Sequence, residues 1–266
     1  MGAPFLQLTD VAKGHADPTG RITPILAGVE LAVAEGELVA ILGASGSGKT
    51  TLVSLIAGLG TPERGTIALD GVPIDGPGLE RGVVFQSYSL LPWLTTLENV
   101  QLAVDAARPD WSPAARRARA EHWVRLVGLG TAADKRPAAL SGGMRQRVSV
   151  ARGLAVEPRL LLLDEPFSAL DALTRASLQA ELARLWAADR RTMLLITNDL
   201  DEACLLADRI HVLIPAPTGG SLLSPGIAVD VPRPRSAATL NRQLAYQHIR
   251  REIFTHMQPT KRAAVA

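Results

Sequence analysis

The sequence predicts an α/β fold with a largely parallel sheet interrupted by a helical insertion. Three observations predict it. Leu38-Val39-Ala40-Ile41-Leu42 and Leu160-Leu161-Leu162-Leu163 are aliphatic runs of strand length. Helix-period stripes alternate with such runs, the pattern of strands joined by helical crossovers. Between the first run and a helix stripe stands Gly43-Ala44-Ser45-Gly46-Ser47-Gly48-Lys49-Thr50, which fits the phosphate-cradling pattern G-x-x-x-x-G-K-[ST] in the strand-to-helix context that pattern requires.

Taken in order, residues 5–12 alternate enough for a first strand. Residues 14–24 are turn-rich, with Gly14, Asp17, Pro18, Gly20 and Pro24. A second strand is expected over residues 25–33, ended by Ala34-Glu35-Gly36-Glu37. Beyond the glycine-rich loop, Leu52, Leu55, Ile56 and Leu59 recur at helical spacing on one face. Gly65-Thr66-Ile67-Ala68-Leu69-Asp70-Gly71 reads as a strand and turn, and Gly82-Val83-Val84-Phe85-Gln86 as a strand that stops at a polar residue. From residue 87 to about 155 the pattern is mostly helical, with segments over 95–107 and 113–129 and Pro92, Pro109, Pro113 and Pro137 as punctuation. Arg116, Arg117, Arg119 and Arg125 there read as a solvated helical face. Leu178, Leu182, Leu185 and Trp186 mark the inner stripe of a later helix, with Trp186 in the core. Residues 193–197 and 210–214 are further short strands. Neither an internal repeat nor a long heptad run is present.

Hydrophobic residues are 47% of the 266 but aromatics only 4%, so aliphatic side chains must build the core. The lone cysteine, Cys204, rules out an internal disulfide and any cysteine-rich metal site, and reads as a small buried hydrophobe. Residues 1–30 lack a charged start followed by an apolar block, and no apolar run approaches bilayer length. The expectation is a cytosolic chain, or one attached to a membrane through partners. Net charge is +2, but Arg233, Arg235, Arg242, Arg250, Arg251, Lys261 and Arg262 stand against one acid, Glu252, after residue 231. The body is therefore net acidic, which argues against a nucleic-acid-binding core. The basic tail reads as a solvated extension, with Leu240, Leu244, Ile249 and Ile253 suggesting a weak helix.

The chemistry follows from residue types. Glycines let the backbone curl and approach a ligand closely. Successive loop N–H groups and the helix start make an anion-binding concavity. Lys49 can reach terminal phosphates and the Thr50 hydroxyl can ligate Mg²⁺. The run from Leu160 to Leu163 delivers Asp164 and Glu165 at a strand end, one placed to hold the metal and the other to orient or deprotonate water. Two acids at a strand end also serve simple solvation. Pro166 and the turn Ser168-Ala169-Leu170-Asp171 point away from that reading.

With Leu140-Ser141-Gly142-Gly143-Met144-Arg145-Gln146 lying between the loop and the acid pair, the chain over residues 5–215 resembles the nucleotide-binding subunit of an ABC transporter. The Ser-Gly-Gly-x-x-Gln signature is far more specific than the phosphate loop. The segment Phe85-Gln86-Ser87-Tyr88-Ser89-Leu90-Leu91-Pro92-Trp93-Leu94-Thr95, the run Asp164-Glu165-Pro166-Phe167-Ser168-Ala169-Leu170-Asp171 and the turn Pro215-Ala216-Pro217-Thr218-Gly219-Gly220 look most like the nitrate/sulfonate/taurine importer branch. The resemblance implies a P-loop NTPase core with a mostly parallel sheet, an antiparallel β subdomain and an inserted α-helical subdomain of about residues 88–155. The ATPase domain would span 1–225, followed by a basic extension over 226–266.

The resemblance also implies roles. Residues 43–50 with Thr51 would bind ATP, Glu165, Lys49, Gln86 and Asn198 would serve hydrolysis, and Thr50, Gln86 and Asp164 would hold Mg²⁺. Ser141, Gly142 and Gly143 would meet the ATP of a second ABC ATPase subunit, in a homo- or heterodimer coupled through Asp171. Leu90, Leu91, Pro92 and Trp93 would be either subdomain core or a groove for a transmembrane permease. A periplasmic or lipid-anchored substrate-binding protein would take part indirectly, no nucleic acid would, and the subunit would sit peripherally on the cytoplasmic face of the inner membrane. Two positions depart from the family pattern. His15 stands near the place of an adenine-stacking aromatic and offers less area. Asn198 replaces the usual His, so it can donate to a γ-phosphate oxygen without charge, where a charge-assisted bond is roughly twice as strong. Thr197-Asn198-Asp199 is similar to a variant of the nitrate-type branch. The implied function is an ATP-hydrolysing importer subunit, its cargo a small oxyanion, with nitrate or nitrite ahead of a sulfonate or taurine. The alternatives are a nucleotide-gated regulatory subunit with weak hydrolysis, or a soluble ABC ATPase acting on nucleic acid or ribosomes.

Overall fold

A computed structural model describes residues 3–16, 20–168 and 170–257. The elements run β1 (Leu6–Ala16), β2 (Ile22–Val33), β3 (Leu38–Leu42), α1 (Lys49–Ile56), β4 (Arg64–Leu69), β5 (Val72–Pro73), β6 (Arg81–Val84), α2 (Thr96–Ala107), α3 (Pro113–Leu126) and α4 (Gly142–Ala155). They continue with β7 (Leu160–Asp164), α5 (Ala172–Asp189), β8 (Thr192–Thr197), α6 (Leu200–Leu206), β9 (Arg209–Pro215), β10 (Ser221–Leu223), β11 (Ile227–Ala228), α7 (Ala237–Leu240) and α8 (Leu244–Met257). The chain divides into two units, Met1–Pro77 with Thr192–Ala266, and Gly78–Arg191.

In the first unit the strands lie in the order β5-β4-β1-β2-β10-β9-β3-β8, with β11 also on β9. The β5, β4, β1 and β2 members pair antiparallel, and β3 pairs parallel with both β8 and β9. Every residue of β3 and β8 is buried, as expected of parallel strands covered on both faces. The antiparallel strands run further than the sequence pattern suggests. β1 continues through Gly14 to Ala16 and β2 begins at Ile22, so Gly14 and Pro24 pair with each other inside the sheet and the turn-rich zone shrinks around them. At Gly14 an added Cβ would sit 2.4 Å from Ile22 Cγ2, so a larger residue would have to displace that side chain. Asp70 and Gly71, both with positive φ, make the tight turn from β4 to β5 that matches strand twist, and Pro73 sits on the edge strand where a missing N–H costs nothing.

Leu52, Leu55 and Ile56 are buried as predicted, but Leu59 is not part of their stripe: it is 55% exposed, beyond the helix end. Gly58 (φ 75°) stops α1, with Gly58 N donating to Leu55 O at 3.1 Å and Leu59 N to Ser54 O at 2.9 Å, the paired bonds of a Schellman terminus. The extension does not lie apart from this unit. Tyr246, Ile249 and Ile253 of α8 are buried while Leu244 is 78% exposed, and Arg233 and Arg235 bond to backbone carbonyls. The expectation of a solvated tail fails for those two arginines. The strand expected over 210–214 is β9, and it pairs antiparallel with β10.

In the second unit β6 and β7 pair parallel, with Val84 opposite Leu163, and α2, α3 and α4 pack on one another. Thr95 caps α2 in a reciprocal box with Glu98, Thr95 N donating to Glu98 Oε2 at 2.7 Å and Glu98 N to Thr95 Oγ1 at 3.2 Å. The third helix ends at Leu126, earlier than the pattern predicts, because Gly128 takes positive φ. Its arginines are not one solvated face. Arg117 and Arg125 are exposed, whereas Arg116 pairs with Asp105 and Arg119 with Glu157 in half-buried ion pairs. Trp186 on α5 is fully buried with Leu178 and Leu182, and the Arg190 guanidinium lies 4.2 Å over its ring. Among the described residues, no helix is long and apolar enough to cross a membrane.

Candidate active site

Within the first unit, β3 runs straight into the glycine-rich loop. Gly43 is pinned by close packing: a Cβ there would stand 2.4 Å from Ser47 Oγ. Gly46 and Gly48 take φ of 80° and 94°, conformations that disfavour side chains. At Gly46 nothing lies within 4 Å of an added Cβ, so the loop opens outward there. At Gly48 the obstacle would be Ile25 and Leu26 of β2. Lys49 begins α1 and is 6% exposed. Its Nζ donates to Gly43 O at 2.8 Å and Ala44 O at 2.9 Å, so its cation is held over the concave side of the loop. Thr50 is exposed and Thr51 half-buried on the first turn of α1. Ala44 and Ser45 are exposed at the loop tip.

The same unit brings Asn198 beside this loop through strand register. Leu42 pairs with Thr197 across β3 and β8, so Gly43 and Asn198 leave the sheet side by side. Asn198 is exposed. Asp199 N donates to Thr197 Oγ1 at 3.0 Å, and Asp199 Oδ1 accepts from Asp201 N at 2.9 Å and Glu202 N at 3.1 Å, capping α6. His15 is exposed on β1, opposite Thr23, two residues from the Ile25 that underlies Gly48.

The second unit assembles the acid pair. Since Val84 faces Leu163, Gln86 and Glu165 emerge from adjacent strands, and Gln86 Nε2 donates to Glu165 Oε2 at 3.2 Å. Asp164 closes β7 and is 2% exposed. Glu165 takes φ 46°, a costly conformation for a residue with a Cβ, and its carbonyl accepts from Ser168 Oγ at 3.0 Å. Ser141 caps α4, its Oγ accepting from Met144 N at 3.3 Å. Gly142 and Gly143 form the first turn, and a Cβ on Gly143 would touch Leu170 and Thr174 at 3.4 Å. Asp171 caps α5, accepting from Thr174 N at 3.0 Å. That backbone bond, more than the side-chain bond to Thr174, holds its carboxyl below the usual range. Ala169 lies outside the described residues.

Sequence reasoning missed what holds the segment after Gln86. Tyr88 and Ser89 both take positive φ, and Arg152 of α4 donates to Ser89 O at 2.6 Å and Tyr88 O at 3.0 Å. Arg145 also lies 5.6 Å over the Tyr88 ring. An arginine inside a helix carries no local signal of such a contact. Of the apolar patch, Leu90 and Leu91 are half-buried and Trp93 is 64% exposed, which removes Trp93 from the core.

A strand, a glycine loop and a helix with a buried lysine at its start define a P-loop fold, here with an added antiparallel sheet and a helical insertion. The sequence matches the model of the ABC transporter family over residues 26–168. The chain belongs to that family. It is 46% identical over 97% of its length to the bicarbonate transport ATP-binding protein CmpC of Synechococcus elongatus, of which it spans 39%. It is 48% identical over 88% of its length to the nitrate import ATP-binding protein NrtD of the same organism, covering 85% of that protein. Among solved structures, the ATP-binding cassette MJ0796, a dimer in a post-hydrolysis state with ADP and Pi, superposes with a TM-score of 0.76 at 32% identity, over 85% of this chain and 99% of that one.

Proposed function

We propose that this chain is the ATP-hydrolysing subunit of an importer for a small oxyanion. The observation that carries the reading is the bond from Gln86 to Glu165 at the strand ends beside Asp164, which aims one carboxylate while leaving a second buried next to it. Glu165 would accept the proton of the attacking water, the task of a positioned carboxylate base. Lys49, already presented over the loop, would exchange its two carbonyl partners for phosphate oxygens, a charge-assisted replacement. Asn198 would donate an amide N–H to the γ-phosphate.

The donors assigned to Mg²⁺ suit that ion. Thr50 would offer a hydroxyl, Gln86 an amide oxygen and Asp164 a carboxylate, each an oxygen donor of the kind this ion takes. When bound, Mg²⁺ would neutralise charge developing on the phosphates. The flanking body would be residues 1–225, with the helical insertion at about 88–155.

Ser141, Gly142 and Gly143 present a capped helix start, suited to a phosphate on a second subunit. The dimeric state of MJ0796 supports two such subunits working as a pair. They would work beneath permease subunits on the cytoplasmic face of the membrane, supplied by a substrate-binding protein. The relatives named for nitrate and for bicarbonate match about equally well, and both ions are small oxyanions. These names support a small oxyanion as cargo, with nitrate first and bicarbonate beside it.

Glu165→Gln keeps the shape and removes the base. It should still bind ATP while turnover falls by about a hundredfold or more. Unchanged turnover would remove Glu165 as the base. Uptake of labelled nitrate and bicarbonate by the assembled transporter decides the cargo.

A further inference from the structure

The helix that follows Asn198 is held at both ends by the C-terminal extension. α6 has 7 residues, too few to be stable by itself. At its C-terminal end, Arg235 Nη1 donates to Cys204 O at 2.9 Å and Ala207 O at 2.5 Å. The same guanidinium is anchored on Val231 O at 2.8 Å and Val229 O at 2.9 Å. Arg233 Nη2 donates to Leu206 O at 2.5 Å and Asp208 Oδ1 at 3.0 Å. Guanidinium groups on terminal carbonyls satisfy orphan acceptors and meet the negative end of the helix dipole. Asp208 Oδ2 in turn accepts from Leu38 N at 3.0 Å, at the start of the strand that leads to the glycine loop. At the N-terminal turn, the Tyr246 hydroxyl of α8 donates to Asp201 Oδ1, and Tyr246 is 1% exposed. A groove of about 500 Å³ between α8 and this turn is lined by Asn198, Asp199, Asp201, Asn241, Tyr246 and Arg250.

We propose that Tyr246 is a positioning residue for Asn198, acting with Arg233 and Arg235, so that the C-terminal extension sets where the Asn198 amide stands. The inference rests on the reading of Asn198 as a γ-phosphate contact. Physically, Asn198 sits on an exposed connection between β8 and α6. Its upstream side is fixed by the sheet, and its downstream side is only as fixed as α6. An uncharged amide depends on close approach more than an imidazolium would, so tethering α6 matters more with Asn at this position.

The test is a double-mutant cycle on the full chain with ATP. Tyr246→Phe removes one hydroxyl and should lower kcat about fivefold, the value of one hydrogen bond, with KM for ATP little changed. In an Asn198→Ala background the same substitution should cost nothing further, as for two groups acting as one unit. Independent, multiplying losses would overturn the proposal, as would an unchanged kcat in Tyr246→Phe. Full activity in Asn198→Ala would overturn it too, by removing the group being positioned. Hydrogen exchange across residues 198–206 supplies a readout separate from turnover. Exchange should rise there in Tyr246→Phe, and unchanged exchange overturns the proposal even if kcat falls. An unaltered chain that hydrolyses no ATP would strike the ATPase reading first, and this proposal with it.

Discussion

Cys204 takes its acid–base behaviour from its surroundings. It is fully buried on α6, and burial pushes its thiol up to about 12, with the Asp201 charge adding to the effect. Tyr246 moves in the same sense, to about 12, through burial and then its bond to Asp201. In both cases the folded pKa lies above the unfolded one, so the folded state favours the neutral form. Their contribution is complete below the unfolded values and is lost as pH rises toward the folded ones. Stability should therefore decline between about pH 9 and 12, read as a falling melting temperature. At about pH 8 the Cys204 thiol should label slowly with a disulfide reagent in the native protein and fast in denaturant. Rapid native labelling would contradict the burial. At this scale the sequence was informative where chemistry is local. The lysine, the paired acids and the lone cysteine announced themselves through neighbours in the chain. Tyr246 did not, because its partner Asp201 is 45 residues away and a tyrosine in a weakly amphipathic tail carries no motif.

At the scale of elements, the segment after Gln86 depends on a neighbouring helix. Two consecutive residues, Tyr88 and Ser89, hold positive φ without being glycine, which costs on the order of 1–3 kcal/mol each. The Arg152 guanidinium on their two carbonyls offsets that cost. Arg152→Met should keep the packing of α4 but release the turn, so that turnover falls by about tenfold while nucleotide affinity changes little. Parallel kcat and binding measurements would show it, and an equal loss in both would mean the helix itself had been disturbed. Element types were legible because their periods are strong: the buried runs became β3 and β7, and the stripe on Leu178, Leu182 and Trp186 became α5. Ends were less so. Gly58 stopped α1 before Leu59, and Gly128 stopped α3 before Leu129, because one residue with positive φ outweighs a continuing apolar pattern. The extended β1–β2 hairpin was hidden by Gly14 and Pro24, which read as turn formers until their pairing across the sheet is seen.

For the whole molecule, the surface question is which apolar side chains the fold leaves uncovered. Trp93, 64% exposed, contributes little to the fold, so Trp93→Ala should change stability by no more than about 0.5 kcal/mol. If the permease covers it, the same substitution should weaken complex formation by about tenfold or more, as loss of a buried aromatic anchor does. Melting of the isolated subunit and co-purification with the permease separate the two effects, and unfolding would return Trp93 to the core. The cargo is the part least legible in these residues. Under the proposed function the subunit would meet its transporter and its nucleotide, not the ion being moved, so none of these residues reads out the cargo.

The tryptophans carry an optical consequence. Trp93, Trp111, Trp123 and Trp186 account for all 4 in the chain, and every one lies in the Gly78–Arg191 unit. The unit that bears Lys49 contains none, and its aromatic chromophore among the tyrosines is Tyr246. Tryptophan emission during unfolding therefore reports on the helical unit alone, whereas circular dichroism reports on both. If the two units melt apart, the curves separate. Val72→Trp, on an exposed strand edge, would place a lamp in the dark half.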